Sequence, residues 1–326
     1  MEEIGAWKDP PGAVPDPEIP AGEAGEVHKR DLCTLSFPYG ELIERIVTEV
    51  VNMPLMNELQ RYLEIAKCIV YQPRLLNQLP NIRRGFNYSK NWTSTIHGNG
   101  ASLLPGPDTM TGSSNPLRAF FESRETGRGI WKWEHYFDAY HRHFRKFVGS
   151  KVNVLEIGVY SGGSLDMWRH YFGSGCHVYG VDIEEACKCY EDESTTIFIG
   201  DQGDRDFWRT FKEKAPAIDI LIDDGGHRME QQIVTLEEML PHLRPGGVFL
   251  CEDVTGEHDG FSGYMQGIVA NLNAFRGSGS EVSTTEFQAW IQSVHFYPYI
   301  TVIEKSDRPV RKFIGPRHGT EWQPFL

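Results

Sequence analysis

Residues 152–164 read VNVLEIGVYSGGS, an apolar run that ends in a glycine-rich turn. Four further apolar runs follow at helix-length intervals: HVYGVD (177–182), TIFIG (196–200), AIDILID (217–223) and GVFLCED (247–253). Short runs that are apolar on both faces, with helices between them, are typical of a parallel sheet covered on both sides. The sequence therefore predicts an α/β fold with a Rossmann-like, doubly wound sheet. Its crossover helices are predicted at about 163–172, 204–214 and 229–242.

Both ends of this domain carry further elements. After a predicted helix near 263–276, the runs 294–297 and 300–304 are a few residues apart and predict a terminal antiparallel hairpin on the edge of the sheet. Before the sheet, residues 130–147 place aromatic side chains on one side and predict a helix that lines the cofactor pocket or an oligomer contact. We assign no ligand role to the histidines of this helix, which are His135, His141 and His143.

The N-terminal third of the chain has a different composition. Residues 1–30 hold five prolines and little apolar pattern, which predicts a disordered tail. Residues 31–128 predict a region that is mainly helical at about 39–79 and loop-rich at 81–128. This region would cover the side of the binding site that receives the substrate, or it would form oligomer contacts. Residues 129–326 form the predicted α/β domain.

The net charge of the chain limits the classes of partner that it can bind. Lys plus Arg number 32 and Asp plus Glu number 45, a formal net charge of −13. So acidic a chain lacks the basic footprint of a nucleic-acid binder and is not suited to an anionic membrane surface. The N-terminus lacks a signal-peptide pattern, and six scattered cysteines form no disulfide framework. These features predict a cytoplasmic protein that acts on something other than a polyanion.

The glycine-rich turn predicts a cofactor site. Gly158 and Gly162 allow a sharp turn and a close approach of the backbone to a ligand, and the helix that follows begins near Ser164. The next strand ends at Asp182, where a carboxylate can accept hydrogen bonds from a ribose. These residues alone fit NAD and S-adenosylmethionine (SAM) equally well as the cofactor.

Acidic residues follow two strands that should be neighbours. Asp223 and Asp224 end one apolar run, and Glu252 and Asp253 end the next. Since parallel strands lie about 4.8 Å apart, these carboxylates should crowd together and raise each other's pKa unless a cation or hydrogen-bond donors compensate. Mg²⁺ or another divalent cation with oxygen ligands would meet that need.

Strand alternation divides these acids between two tasks. Neighbouring residues of a strand point to opposite faces, so we direct Asp223 at SAM or the loop backbone and Asp224 at the metal. Glu252 and Asp253 can share one ion only if the strand ends between them. His227 lies in a glycine-flanked turn three residues after Asp224, and an imidazole suits proton transfer near neutral pH. It is the predicted general base.

The motifs together resemble a known family. A parallel sheet closed by an antiparallel hairpin is similar to class I SAM-dependent methyltransferases. The segments LEIGVYSGGSLDMW, YGVDI, GDQGD, ILIDDGGH and PHLRPGGVFLCEDV resemble the metal-dependent O-methyltransferases of macrolide sugars, over roughly residues 130–255. The resemblance implies a methyltransferase domain at 129–326 that transfers a methyl group from SAM to a hydroxyl of a sugar or other polyhydroxylated natural product.

The resemblance also implies roles for individual residues. It implies that His227 is the general base and that Asp224, Glu252 and Asp253 bind the metal. The residues implied or predicted to bind SAM are Glu156, Gly158, Ser161, Gly162, Ser164, Asp182, Asp201, Gln202 and Asp223.

Three other interpretations remain open. The chain could be a metal-independent methyltransferase, an NAD-linked oxidoreductase on the same sheet, or a SAM-binding protein without catalysis. The terminal hairpin and the absence of the third glycine of a dinucleotide-binding fingerprint count against the second. The sequence leaves open a homo-oligomer.

Overall fold

The computed structural model describes residues 79–90, 115–255, 260–274 and 281–321. The chain divides into two units, residues 1–103 and 104–326. In the first unit, helix α1 spans Leu79–Lys90. The predicted tail at 1–30 and nearly all of the helical pattern at 39–79 lie outside the described residues.

The second unit contains a seven-stranded sheet with the order β3-β2-β1-β4-β5-β8-β7. Its strands are β1 (Val152–Ile157), β2 (Cys176–Asp182), β3 (Thr195–Ile199), β4 (Ile218–Asp223), β5 (Leu243–Cys251), β7 (Ile291–Tyr297) and β8 (Ile300–Lys305). The first five are parallel, and β8 and β7 add an antiparallel hairpin at the edge. The predicted fold class is confirmed. A small antiparallel pair is formed by β6 (Glu281–Ser283) and β9 (Lys312–Ile314).

Helices cover both faces of the sheet. They are α2 (Pro116–Glu122), α3 (Tyr136–Phe144), α4 (Gly163–Phe172), α5 (Arg205–Lys214), α6 (Met229–Met239), α7 (Phe261–Leu272) and α8 (Glu286–Trp290). On β1, Val152 and Val154 join the core beneath α2, α3 and α4, whereas Leu155 and Ile157 join the core beneath α5, α6 and α7. This alternation makes the strand apolar on both faces, as the sequence pattern predicted.

Two helices occupy the stretch predicted as loops at 81–128, so the loop prediction is wrong for 81–90 and 116–122. The Asn115 side chain accepts hydrogen bonds from the backbone N–H groups of Leu117 and Arg118, and Pro116 stands in the first turn. Proline is tolerated there because the first N–H groups of a helix have no partner within the helix. Polar and proline residues at this point begin a helix rather than interrupt one.

Within the part of the chain that the structure describes, none of the helices has the length and apolar character that crossing a bilayer requires.

Candidate active site

The glycine turn and the first acidic strand end are in direct contact. Gly158 follows β1 with φ +87, and a Cβ added to it would lie 2.0 Å from the backbone oxygen of Asp224. The Asp224 N–H also donates a hydrogen bond to the Ile157 oxygen at 3.0 Å. The predicted cofactor loop and the first predicted metal ligand therefore meet at one point on the carboxyl edge of the sheet, where ligands bind in open α/β sheets.

This contact predicts a severe effect of Gly158→Ala. The left-handed backbone and the overlap with Asp224 together should lower the free energy of unfolding by about 2–5 kcal/mol. Gly149→Ala is the matched control, because Gly149 has φ +76 but nothing within 4 Å of an added Cβ. It should lose only the backbone contribution, about 1–2 kcal/mol. Urea denaturation measures both, and equal losses would show that the contact with Asp224 is unimportant.

Hydrogen bonds to two carboxylates, Asp182 and Glu156, stabilise the glycine-rich loop and the start of the helix that follows it. Asp182 accepts hydrogen bonds from the N–H groups of Val159 and Tyr160 through Oδ2, at 2.9 and 3.0 Å. The Ser164 hydroxyl donates to Glu156 Oε2 at 2.7 Å. Asp182 and Ser164 thus fix the shape of the loop.

Strand alternation places two buried glutamates on one face. Glu156 shares its face of β1 with Val154, and Glu252 follows β5 on the face of Leu250, so both point towards α3 and α4. Both carboxyl groups are buried, and burial is the main cause that raises the pKa of each above its usual value.

A buried lysine lies among these acids. Lys132 Nζ is 2.5 Å from Asp224 Oδ2, 3.0 and 3.1 Å from the two oxygens of Glu252, and 3.6 Å from Glu156 Oε1. Burial alone would lower the pKa of Lys132, but the three carboxylates outweigh burial and hold its pKa above the usual value. The side chain is therefore a cation that bridges the ends of three strands.

Two tyrosines of α3 complete the buried side of the site. The Tyr140 hydroxyl donates to Glu252 Oε1 at 2.6 Å, and the Tyr136 hydroxyl donates to Asp253 Oδ1 at 2.5 Å. Burial is the largest cause that raises the pKa of both tyrosines, so both remain protonated donors. The aromatic helix thus contributes hydroxyl groups as well as apolar packing.

Asp224, His227 and Asp253 form the more accessible side. Each offers one possible metal-ligand atom, and these atoms lie within 4.8 Å of one another. His227 Nε2 is 3.4 Å from Asp253 Oδ2 and 4.0 Å from Asp224 Oδ1. His227 and Asp253 have φ +53 and +52, a left-handed conformation that is uncommon outside glycine and often marks functional sites.

The predicted metal ligands divide between the two sides. The strand β5 ends at Cys251, before both acids rather than between them, and the turn that follows brings Asp253 beside His227. Glu252 directs its oxygens at Lys132 and Tyr140, while His227 stands with Asp224 and Asp253. Direct ligation by Glu252 stays a prediction.

Two predicted SAM residues, Asp223 and Gln202, are buried and have partners within the protein, whereas a third, Asp201, is exposed. Asp223 Oδ1 accepts a hydrogen bond from Gln202 Nε2 at 2.9 Å, and Gln202 Oε1 accepts one from the Gly226 N–H at 2.7 Å. Both side chains are buried, and burial raises the pKa of Asp223 to about 6. Asp201 is exposed and accepts a hydrogen bond from the Gly203 N–H. Asp223 and Gln202 therefore support the turn that carries His227. Ser161, another predicted SAM residue, is half-buried.

Exposed apolar side chains surround these groups. Tyr160 and Ile183 are exposed beside the glycine loop and Asp182. Trp133 is exposed next to Lys132, and its ring lies 6.0 Å from that of Tyr299. Tyr299 accepts a backbone hydrogen bond from Val254, one residue after Asp253.

Lys132, Tyr136 and Tyr140 belong to this site, although no motif of the sequence predicted them. The signal that the sequence carries is the position of Lys132, a basic residue between Trp131 and Trp133. The two tyrosines fit the aromatic side of α3, and no pattern in the sequence indicates that their hydroxyl groups bond to acids.

Part of the chain is similar to known proteins. Residues 155–254 match the protein family described as "Methyltransferase domain". Demethylmacrocin O-methyltransferase from Streptomyces fradiae is 35% identical over 171 residues, which cover 50% of this chain and 42% of that protein. Mycinamicin VI 2''-O-methyltransferase from Micromonospora griseorubida is 39% identical over 133 residues, 38% of this chain and 33% of that protein. The chain thus spans less than half of the length of these two curated relatives.

One similar solved structure is the MycE methyltransferase from the mycinamycin biosynthetic pathway in complex with Mg and SAH. It is 25% identical to this chain, with a TM-score of 0.48, and the match covers 59% of this chain and 54% of that one. The resemblance predicted from the sequence motifs is confirmed by the matched family and the curated relatives. Residues 155–254 are a methyltransferase domain, and the chain that carries it is related to O-methyltransferases of macrolides and their sugars.

Proposed function

We propose that this protein is a SAM-dependent O-methyltransferase, assisted by a divalent cation, that methylates a hydroxyl of a sugar or glycoside. The observation that carries the proposal is the contact between Gly158 of the cofactor loop and Asp224 of the acidic cluster. It brings the cofactor side and the base side of the reaction to one point. The curated relatives are named for sugar or macrolide acceptors, which supports this class of acceptor.

The residues present fit both a divalent cation and SAM. Lys132 faces three carboxyl groups (Glu156, Asp224 and Glu252), and Asp253 stands on the accessible side beside His227, so the acidic groups outnumber the ammonium group and a divalent cation or a sulfonium would offset the excess. Oxygens of Asp224 and Asp253 are the type of ligand that Mg²⁺ prefers. The loop that Asp182 shapes, with Tyr160 and Ile183 exposed beside it, would hold SAM. Trp133 and Tyr299 offer flat apolar surface for the acceptor.

Each residue then has a distinct part in the reaction. A bound cation would stabilise the charge that develops on the acceptor oxygen, and SAM would supply the methyl group. Asp224 and Asp253 would hold the cation, and His227 Nε2 would take the proton of the acceptor hydroxyl. Lys132 and Tyr140 hold Glu252 in place and keep water from the buried side.

A metal-independent methyltransferase is a second candidate, and Lys132 favours it. Its ammonium group already neutralises part of the charge on Asp224 and Glu252. In that case His227 would act as the base without a neighbouring cation. The two candidates differ in a measurable requirement for metal.

Removal of metal tests the proposal. Protein treated with EDTA and supplied with SAM should methylate no member of a glycoside panel, and Mg²⁺ should restore a mass gain of one methylene in the product. Asp224→Asn should reduce turnover by at least about 100-fold, since it removes a ligand that stabilises developing charge. Asp206→Asn on the exposed face of α5 is the control and should retain activity.

Other outcomes decide between the interpretations. Full activity in EDTA would identify the metal-independent enzyme. Calorimetric binding of NADH rather than SAM would identify an oxidoreductase, and SAM binding with no transfer to any glycoside would contradict the proposed acceptor class.

A further inference from the structure

A second cluster of metal-binding side chains lies apart from the carboxylate site. His143 of α3, His295 of β7 and Glu304 of β8 each offer one possible ligand atom, and these atoms lie within 4.8 Å of one another. In the register of the β5–β8 pair, Glu304 stands opposite Val248, three residues before Cys251 at the end of β5. Three residues of strand correspond to about 10 Å, so this cluster is separate from the acidic strand ends.

Hydrogen bonds already orient both imidazoles. His143 Nδ1 lies 2.9 Å from Glu304 Oε1, and its Nε2 lies 2.8 Å from the Tyr297 hydroxyl. His295 Nε2 lies 2.9 Å from Ser293 Oγ. A histidine that binds a metal uses one ring nitrogen and makes a hydrogen bond through the other. Tyr297 and Ser293 therefore stand where outer hydrogen-bond partners are needed, and an ion would replace the hydrogen bond between His143 Nδ1 and Glu304 Oε1.

A lysine lies beside the cluster without blocking it. Lys146 Nζ is 3.9 Å from Glu304 Oε1, but its side chain is 42% exposed and can move into solvent.

We infer that His143, His295 and Glu304 form a zinc site that ties α3 to the β7–β8 hairpin. Two imidazoles and one carboxylate are a ligand set that zinc accepts, with water in the fourth position, whereas Mg²⁺ prefers oxygen ligands alone. The ion would cross-link residues that are up to 161 positions apart in the chain. Because zinc would bind the folded chain, it would stabilise the hairpin that completes the sheet.

The test uses the full chain, stripped with EDTA and dialysed against Zn²⁺ in excess Mg²⁺, with bound zinc measured by atomic absorption. We expect one zinc ion per chain. His295→Ala and Glu304→Gln should each weaken zinc binding by at least about tenfold. His141→Ala, two residues from His143 on the same helix, is the matched control and should bind zinc normally. Asp224→Asn should also retain zinc, because it alters the other site.

A second readout does not depend on metal analysis. Zn²⁺ should raise the midpoint of thermal unfolding of the unaltered protein and of His141→Ala, but not of His295→Ala. The inference is overturned if the unaltered protein binds no zinc in Mg²⁺, or if His295→Ala and Glu304→Gln bind it as tightly. Loss of zinc from Asp224→Asn alone would assign the ion to the acidic strand ends.

Discussion

Lys132→Met should lower the free energy of unfolding by about 3–5 kcal/mol, the usual consequence of removing one partner from a buried ionic network. Lys132 Nζ contacts Asp224 and Glu252 and lies 3.6 Å from Glu156. Without the ammonium group these three carboxylates face one another, and two of them, Glu156 and Glu252, are buried. The methionine side chain fills a similar volume, so the loss reports charge rather than a cavity.

Chemical denaturation at neutral pH measures this effect. Lys214→Met, at the exposed end of α5, is the control and should change the free energy of unfolding by less than about 0.5 kcal/mol. Added Mg²⁺ provides a further comparison. If the site binds a cation, Mg²⁺ should recover part of the stability of Lys132→Met, because it would offset the same carboxylates. A loss no larger than that of Lys214→Met would show that Lys132 does not stabilise the acidic cluster.

The sequence predicted the sheet and the position of the site for the same physical reason. Apolar runs such as 217–223 can be buried on both faces only in a covered parallel sheet, and the acids that follow them then emerge at one edge. The contact of Gly158 with Asp224 follows from that topology, whereas the position of Asp253 beside His227 depends on the turn after Cys251.

The partners of these acids could not be predicted in this way. Lys132 precedes the sheet, 92 residues before Asp224 and 120 before Glu252, and no local periodicity relates them. Alternation predicted that Asp223 and Asp224 point apart. It could not show that Asp223 meets Gln202 beneath the turn, because that contact depends on how α5 and α6 pack.

His227→Asn should reduce turnover by about 10²–10⁴-fold, the usual contribution of a positioned base, while SAM binding stays unchanged. Asparagine is the informative replacement because it tolerates the left-handed backbone of His227, which has φ +53, better than most residues. The turn that Gln202 supports should therefore keep its shape. His318→Asn alters an exposed histidine elsewhere in the chain and should leave turnover unchanged.

The dependence of turnover on Mg²⁺ separates two roles that the geometry allows for His227. Its Nε2 stands 3.4 Å from Asp253 and 4.0 Å from Asp224, close enough to be a ligand as well as a base. If His227 is the base, His227→Asn should lower turnover at every Mg²⁺ concentration without changing the concentration that gives half of the maximal rate. If it is a ligand, more Mg²⁺ should be needed, and saturating Mg²⁺ should restore most of the rate. Unchanged turnover would exclude both roles and leave proton removal to solvent or to a carboxylate of the cluster.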